Sequence, residues 1–276
     1  MPRRIDGGNA IYHYLQKVLI PRDDAFSREL VLRLVLDLSI WLPLELYLAV
    51  PVLLPYCVRD SGIRKREWGL ANAQGYLRDN NSILKLLVGG YAIHSPRFSA
   101  YDRVGRGRNF TASHAWRWVR LNGTRHLATA HPLAYSFVPN LAWLPAQIAK
   151  LTDHEGSFAQ QVLQAVAWAY YAPARLAHPA LLAGIWDGLQ PPDLRIDLDL
   201  THLNTFVVSP RSVTIRHNNL RKEIETIENS LCAGAPTGKS PRSFRYLASL
   251  CTLPVEQAAE MRAWLRAYRD FLESGA

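Results

Sequence analysis

The chain has few cysteines and no cysteine spacing that would indicate a zinc site or a disulfide framework. Cys57, Cys232 and Cys251 are its three cysteines in 276 residues, and they lie far apart along the chain. Short, disulfide-rich secreted domains and zinc ribbons instead carry closely spaced, paired cysteines. The cysteine content therefore predicts a protein of the reducing cytoplasm.

A charge-free apolar segment long enough to cross a membrane is also missing. The first residues, 1–7, lack the apolar core of a signal peptide. Segment 30–57 is long enough to cross a bilayer, but charges at its centre would be costly in lipid. It contains three charged residues and three prolines, namely Arg33, Asp37, Glu45, Pro43, Pro51 and Pro55. We expect a buried helix followed by a kinked, packed segment, and no membrane partner.

Basic residues outnumber acidic ones. The chain has 32 Lys and Arg against 23 Asp and Glu, a formal net charge of +9. Such an excess favours a polyanionic partner, because binding releases the counterions that surround a phosphate backbone. The 49% hydrophobic content is enough for one large core or two modest ones.

Helical spacing of apolar residues dominates the chain. It predicts helices over 10–20, 25–42, 140–151, 157–171, 213–231 and 254–272. A β-prone composition predicts strands over 109–119 and 134–138, with a turn at residues 121–124. We therefore expect an α+β, mostly α fold. Its helical N-terminal region (1–90) and helical C-terminal region (176–276) would flank a central module (91–175).

The central region carries a residue pattern with chemical meaning. Residues 109–116 read NFTASHAW, and residues 137–144 read FVPNLAWL, with Lys150 following an apolar turn. These segments resemble the signature of the HNH, or ββα-metal, endonucleases. The resemblance implies a histidine base on the first strand of a hairpin, an asparagine at the start of the following helix, and a metal ion between them.

The family roles can be placed on individual residues. By this resemblance His114 is the base that deprotonates water, and Asn140 fixes the histidine or binds the metal ion. Asp153 stands at a helix position where some members carry a further metal ligand. Two other ligand positions of the family are occupied here by Ser113 and Ala149. The implied Mg²⁺ or Mn²⁺ site therefore has few protein ligands, and water would complete its shell.

These residue types suit phosphodiester hydrolysis. Histidine supplies a base near neutral pH, and a divalent ion neutralises the charge that grows on the scissile phosphate. The resemblance thus predicts a metal-dependent endonuclease that acts on nucleic acid, with DNA favoured over RNA. Restriction or phage defence is the pathway that this enzyme class suggests.

A basic, aromatic stretch surrounds the motif. Between residues 97 and 125 aromatic side chains alternate with arginines, and Asp102 is the single acid. Arginines of this density can follow a phosphate backbone while aromatic rings stack on bases. The predicted nucleic-acid-binding residues are Arg97, Arg103, Arg106, Arg108, Arg117, Arg120, Arg125 and Lys150.

Three other interpretations of the same residues stay open. Arg108 and His114 fit the spacing of the metal-free HEPN ribonucleases, as do Arg125 and His131, and that motif requires a helix around 109–118. The chain would otherwise be a non-catalytic subunit that binds nucleic acid within a larger assembly of protein subunits. Finally, His114 would be a structural histidine and Asn140 a helix N-cap after Pro139.

Overall fold

A computed structural model describes residues 7–60, 62–63, 69–177, 180–195, 198–238 and 244–274. Its helices are α1 (Gly7–Tyr14), α2 (Ala25–Leu38), α3 (Leu44–Ala49), α4 (Ser82–Leu87), α5 (Ala146–Thr152), α6 (Phe158–Tyr171), α7 (Ala180–Gly188), α8 (Pro210–Ala233), α9 (Phe244–Leu250) and α10 (Val255–Ser274). Its strands are β1 (Ile40–Trp41), β2 (Cys57–Arg59), β3 (Leu77–Asp79), β4 (Ala92–His94), β5 (Phe110–His114), β6 (Trp118–Leu121), β7 (Thr124–Leu127), β8 (Leu141–Pro145) and β9 (Asn204–Val207). The expected α+β, mostly α class is confirmed.

A five-stranded sheet in the order β4-β9-β1-β8-β5 lies at the centre of the fold. Strand β1 runs parallel to β9, and the other neighbours are antiparallel. The sheet takes strands from each of the three predicted regions, since β1 precedes residue 91 and β9 follows residue 175. Trp41 and Trp143 are fully buried, so the sheet also carries the centre of the hydrophobic core.

Side-chain caps begin several of the predicted helices. Asp24 accepts a hydrogen bond from the Ser27 backbone N–H at 2.8 Å and starts α2, and Ser157 starts α6 in the same way. The predicted helix over 25–42 ends earlier, at Leu38, because Ile40 and Trp41 pair with the sheet. In the part of the chain that the structure describes, no helix has both the length and the apolarity to cross a membrane.

The predictions for 134–138 and 140–151 were wrong in part. Residues Leu141–Pro145 form strand β8, and segment 134–138 is irregular chain that leads into a 3₁₀ turn over Val138–Asn140. Leu141 to Leu144 are fully buried, and a strand buried on both faces lacks the alternation that would distinguish it from a helix. Pro145 then precedes α5, so the helix starts at Ala146.

The turn at residues 121–124 joins strands β6 and β7. Asn122 and Gly123 have φ values of 49° and 75°, and Leu121 pairs with Thr124 across the turn. Positive φ at both central residues is the geometry of a tight two-residue hairpin. The predicted turn is therefore confirmed, but its second strand is β7 and not segment 134–138.

Candidate functional site

Strands β5 and β8 and helix α5 form a ββα arrangement around His114. The two strands are antiparallel, and His114, the last residue of β5, lies opposite Leu141, the first residue of β8. Helix α5 follows β8 directly. Asn140 therefore stands before the second strand, not at the start of the helix as the sequence pattern predicted.

The His114 ring is held by Tyr135. The two rings stack with centroids 5.6 Å apart, and Nε2 of His114 lies 2.9 Å from the Tyr135 carbonyl oxygen. Because a carbonyl oxygen only accepts hydrogen bonds, Nε2 carries the proton and Nδ1 keeps its lone pair. Burial lowers the pKa of His114 to about 4. The ring is thus neutral at pH 7, with Nδ1 unprotonated.

Asn140 is fully buried and uses both ends of its amide on the main chain. Its Oδ1 accepts the Trp116 N–H at 2.7 Å, and its Nδ2 donates to the Ala134 carbonyl at 3.1 Å. The side chain thereby joins the segment after His114 to the segment before β8. This geometry corrects one interpretation, because Asn140 ends a 3₁₀ turn and caps no α-helix.

A cavity of about 230 Å³, which we call the His114 cavity, lies beside the ring. His114, Asp153, Arg59, Arg117 and Thr129 are among its lining residues. Asp153 follows the last turn of α5, and its carbonyl oxygen accepts a hydrogen bond from Arg117 Nη1 at 3.1 Å. The ββα arrangement thus brings the predicted base and the predicted acid to one cavity.

The electrostatics of Asp153 reflect two opposed effects. The residue as a whole is exposed, yet partial burial of its carboxyl group raises its pKa. The positive charges of Arg59 and Arg117 oppose that shift. The His114 cavity therefore combines a neutral imidazole, a carboxyl group and two guanidinium groups.

Asp153 is the one carboxylate among the described residues that line the His114 cavity. Within the described ranges no cluster of three or more His, Cys, Asp or Glu side chains surrounds a common point. Mg²⁺ commonly binds proteins through one or two carboxylates and completes its shell with water and phosphate oxygens. Asp153 supplies such a carboxylate. The hydroxyl of Ser113, another lining residue, is buried and makes no hydrogen bond within the described part of the chain.

A second concavity, which we call the Trp118 groove, adjoins the His114 cavity. It has a volume of about 340 Å³, and Arg117 lines both spaces. Three of the predicted cations meet there, since Arg120 and Arg125 also line it. Helix α7 closes one side so tightly that a Cβ on Gly188 would collide with the Arg120 carbonyl oxygen.

The other predicted cations lie outside these two spaces. Arg97 donates to Nδ1 of His202 at 2.9 Å, and Arg103 is 93% exposed beside Asp102. Arg106 donates to the carbonyl oxygens of Lys85 and Gly107. The remaining two are Arg108, exposed before β5, and Lys150, whose ammonium group lies 5.0 Å from the Tyr12 ring centroid.

Several lining residues escaped the sequence analysis. They include Arg59 and Thr129 of the His114 cavity, and Gln161 and Gln164 of the Trp118 groove. Arg59 is the last residue of β2 and the first of a polar, glycine-containing stretch, which was a usable signal. The two glutamines lie on α6, where a sequence pattern cannot separate them from an ordinary solvated helix face.

The HEPN interpretation required a helix around 109–118, and the structure has strand β5 there. The second copy of that motif, Arg125 to His131, runs from strand β7 into a 3₁₀ turn. Comparison of the chain with family models, with curated proteins and with solved structures gave no match. The case for a function therefore rests on the geometry of the site.

Proposed function

We propose that the protein is a nuclease that hydrolyses a phosphodiester bond of nucleic acid, preferably DNA, in the His114 cavity. The observation that carries the proposal is a neutral His114 with its Nδ1 lone pair unprotonated, in the same cavity as Asp153 and two arginines. A base, a hard ligand and positive charge are the groups that this hydrolysis needs.

In the proposed mechanism His114 accepts a proton from the attacking water at Nδ1. Arg59 and Arg117 attract the phosphate and offset its charge. Tyr135 and Asn140 keep the imidazole and its loop in place, so that no reorganisation is needed when the substrate binds. Mg²⁺ or Mn²⁺, held by Asp153, water and phosphate oxygens, would supply the further positive charge that stabilises the leaving oxygen.

A second candidate is a non-catalytic subunit that binds nucleic acid within a larger assembly. It is favoured by the small number of metal ligands around the His114 cavity among the described residues. The Trp118 groove would serve such a subunit equally well, because binding of a phosphate backbone needs arginines and no complete catalytic site.

A cleavage assay separates the two candidates. Single-stranded and duplex DNA are incubated with wild type, His114→Ala and Asp153→Ala in Mg²⁺, in Mn²⁺ and in EDTA. We expect cleavage that requires the metal ion and that falls at least 100-fold in His114→Ala, because general-base catalysis contributes about 10²–10⁴-fold. Asp153→Ala should lose activity in the same way.

His94→Ala is the matched control for the cleavage assay. His94 is 61% exposed and lies on β4, at the opposite edge of the sheet from β5. Its replacement should leave the cleavage rate unchanged. Equal activity in wild type and His114→Ala would refute the nuclease proposal, and binding of DNA without any cleavage would support the non-catalytic subunit.

A further inference from the structure

The Trp118 groove has the dimensions of a pocket for a small molecule. Its volume of about 340 Å³ lies in the range of about 300–1,000 Å³ that is usual for such sites. It is a concave space between hairpin β6–β7, helix α6 and the end of α7. An intact duplex is too wide to enter a concave space of this size. A single nucleotide that has left the base stack can occupy it.

The groove offers a guanidinium group that lies over an aromatic ring. The Arg125 guanidinium lies 4.4 Å from the ring centroid of the half-buried Trp118. Base stacking on aromatic rings, combined with arginine, is the usual way in which proteins hold single-stranded nucleic acid. Glu155 also lines the groove, and an ion pair of 3.7 Å with Arg125 offsets its charge. Asp193 is a further acid at the edge.

Amide side chains complete the lining on the α6 side. Gln160 is buried, and its Oε1 already accepts a hydrogen bond from the Gly156 N–H at 2.8 Å. Gln161 donates one amide hydrogen to the Gly156 carbonyl and keeps its oxygen available, and Gln164 lines the same wall. Amides both donate and accept, as the edges of nucleobases require.

We infer that the Trp118 groove binds one unpaired nucleotide of a DNA strand, with its base stacked on the Arg125 guanidinium that Trp118 supports and its edge towards Gln161 and Gln164. The inference rests on the proposed function, since it places this nucleotide next to the phosphate that is cleaved. Arg117 lines both spaces and so contacts the phosphate between them. The substrate is then single-stranded DNA, or duplex DNA that is opened at this position.

Binding measurements without metal ions test the base contact separately from cleavage. Fluorescein-labelled (dT)8 and an abasic oligodeoxynucleotide of the same length carry the same backbone charge, and their affinities are compared by fluorescence anisotropy in EDTA. We expect wild type to bind (dT)8 about tenfold more tightly, the size of one stacked base. Trp118→Ala should remove this preference, whereas Arg120→Ala should weaken binding of both oligonucleotides by a similar factor.

Phe26→Ala is the control for loss of an aromatic ring, because Phe26 is 65% exposed and does not line the groove. It should keep the preference for (dT)8. Equal affinity of wild type for the two oligonucleotides would overturn the inference, whether or not Trp118→Ala folds. A preference that survives in a folded Trp118→Ala would overturn it as well.

The two proposals fail in different ways. A protein that cleaves DNA through His114 but binds both oligonucleotides equally remains a nuclease without a base-binding groove. A protein that prefers (dT)8 but shows no cleavage keeps the base-binding groove and loses the nuclease activity.

Discussion

Tyr135 holds the His114 ring through its main-chain carbonyl. Asn140 holds the segment that follows His114 through hydrogen bonds to the main chain. The Tyr135 carbonyl fixes the tautomer of His114, and the Tyr135 hydroxyl donates to Asp79 at 2.8 Å. Asp79 is buried and also accepts the Ser82 and Ile83 N–H groups at the start of α4. The position of His114 thus depends on a chain of buried hydrogen bonds that reaches β3 and α4.

Removal of the Asn140 amide should destabilise the protein whether or not a metal ion is present. Asn140→Ala leaves the Trp116 N–H and the Ala134 carbonyl without partners in the core, and each such group costs about 1–3 kcal/mol. We expect a loss of about 3 kcal/mol in the free energy of unfolding, measured by urea denaturation in EDTA. A loss that appears only with Mg²⁺ would instead indicate a metal ligand.

At the scale of secondary-structure elements, a buried glutamate joins helices α8 and α10. The Glu228 carboxylate on α8 is buried and lies 3.1 Å from Nε of Arg266 and 2.6 Å from Nη1 of Arg269, both on α10. A second pair, Arg221 with Glu273, joins the same helices at 2.8 Å but has both side chains more than 40% exposed. The two pairs differ mainly in their contact with water.

This difference predicts unequal effects of two matched substitutions. Glu228→Ala removes the carboxylate that two arginines share in a buried position, and we expect a loss of about 2 kcal/mol in the free energy of unfolding. Glu273→Ala removes an exposed partner, where ion pairs contribute less than about 1 kcal/mol. Guanidinium chloride would screen these charges, so urea denaturation is the suitable measurement. Equal losses would show that burial of Glu228 adds nothing.

Two half-buried histidines couple the stability of the whole molecule to pH. Burial lowers the pKa of His114 and of His131 to about 4, and nearby His126 contributes to the shift at His131. In the unfolded chain each titrates near the ordinary value of 6.5. The unfolded state therefore takes up protons first as the pH falls. The stabilisation is complete above pH 6.5 and is lost as the pH decreases towards 4.

His114→Gln should reduce this loss of stability in acid. Between pH 7 and pH 5 a histidine with this pKa shift costs about 2 kcal/mol of folding free energy. We expect the difference in the free energy of unfolding between these pH values to shrink by about that amount in His114→Gln. His94→Gln, at an exposed histidine, should behave as wild type. An unchanged pH dependence in His114→Gln would contradict the burial of a neutral ring.

Local signals predicted most of the helices and missed strand β8. Asp24 and Ser157 cap helices from adjacent positions, and periodicity over 213–231 and 254–272 needs no distant partner. Strand β8 differs, because β1 and β5 pair with its two edges and helices α2 and α5 contact it from distant or later parts of the chain. Its buried apolar run looks the same in a helix until those neighbours are known. His114 and Asp153 were identified from a motif, whereas Arg59 enters the cavity from β2.

The amino-acid sequence by itself determined the α+β class, the starts of α2 and α6, the tight β6–β7 turn and the identity of the titratable groups near residue 114. These properties depend on neighbours a few positions away. Only the tertiary structure decided that Asn140 bonds to the main chain, that Arg117 lines both the His114 cavity and the Trp118 groove, and that five of the eight predicted cations lie outside both spaces. The physical reason is that residues distant in the chain set the burial and the hydrogen-bond partners of a polar side chain. Burial and hydrogen-bond partners in turn decide whether that side chain supports the fold or faces a ligand.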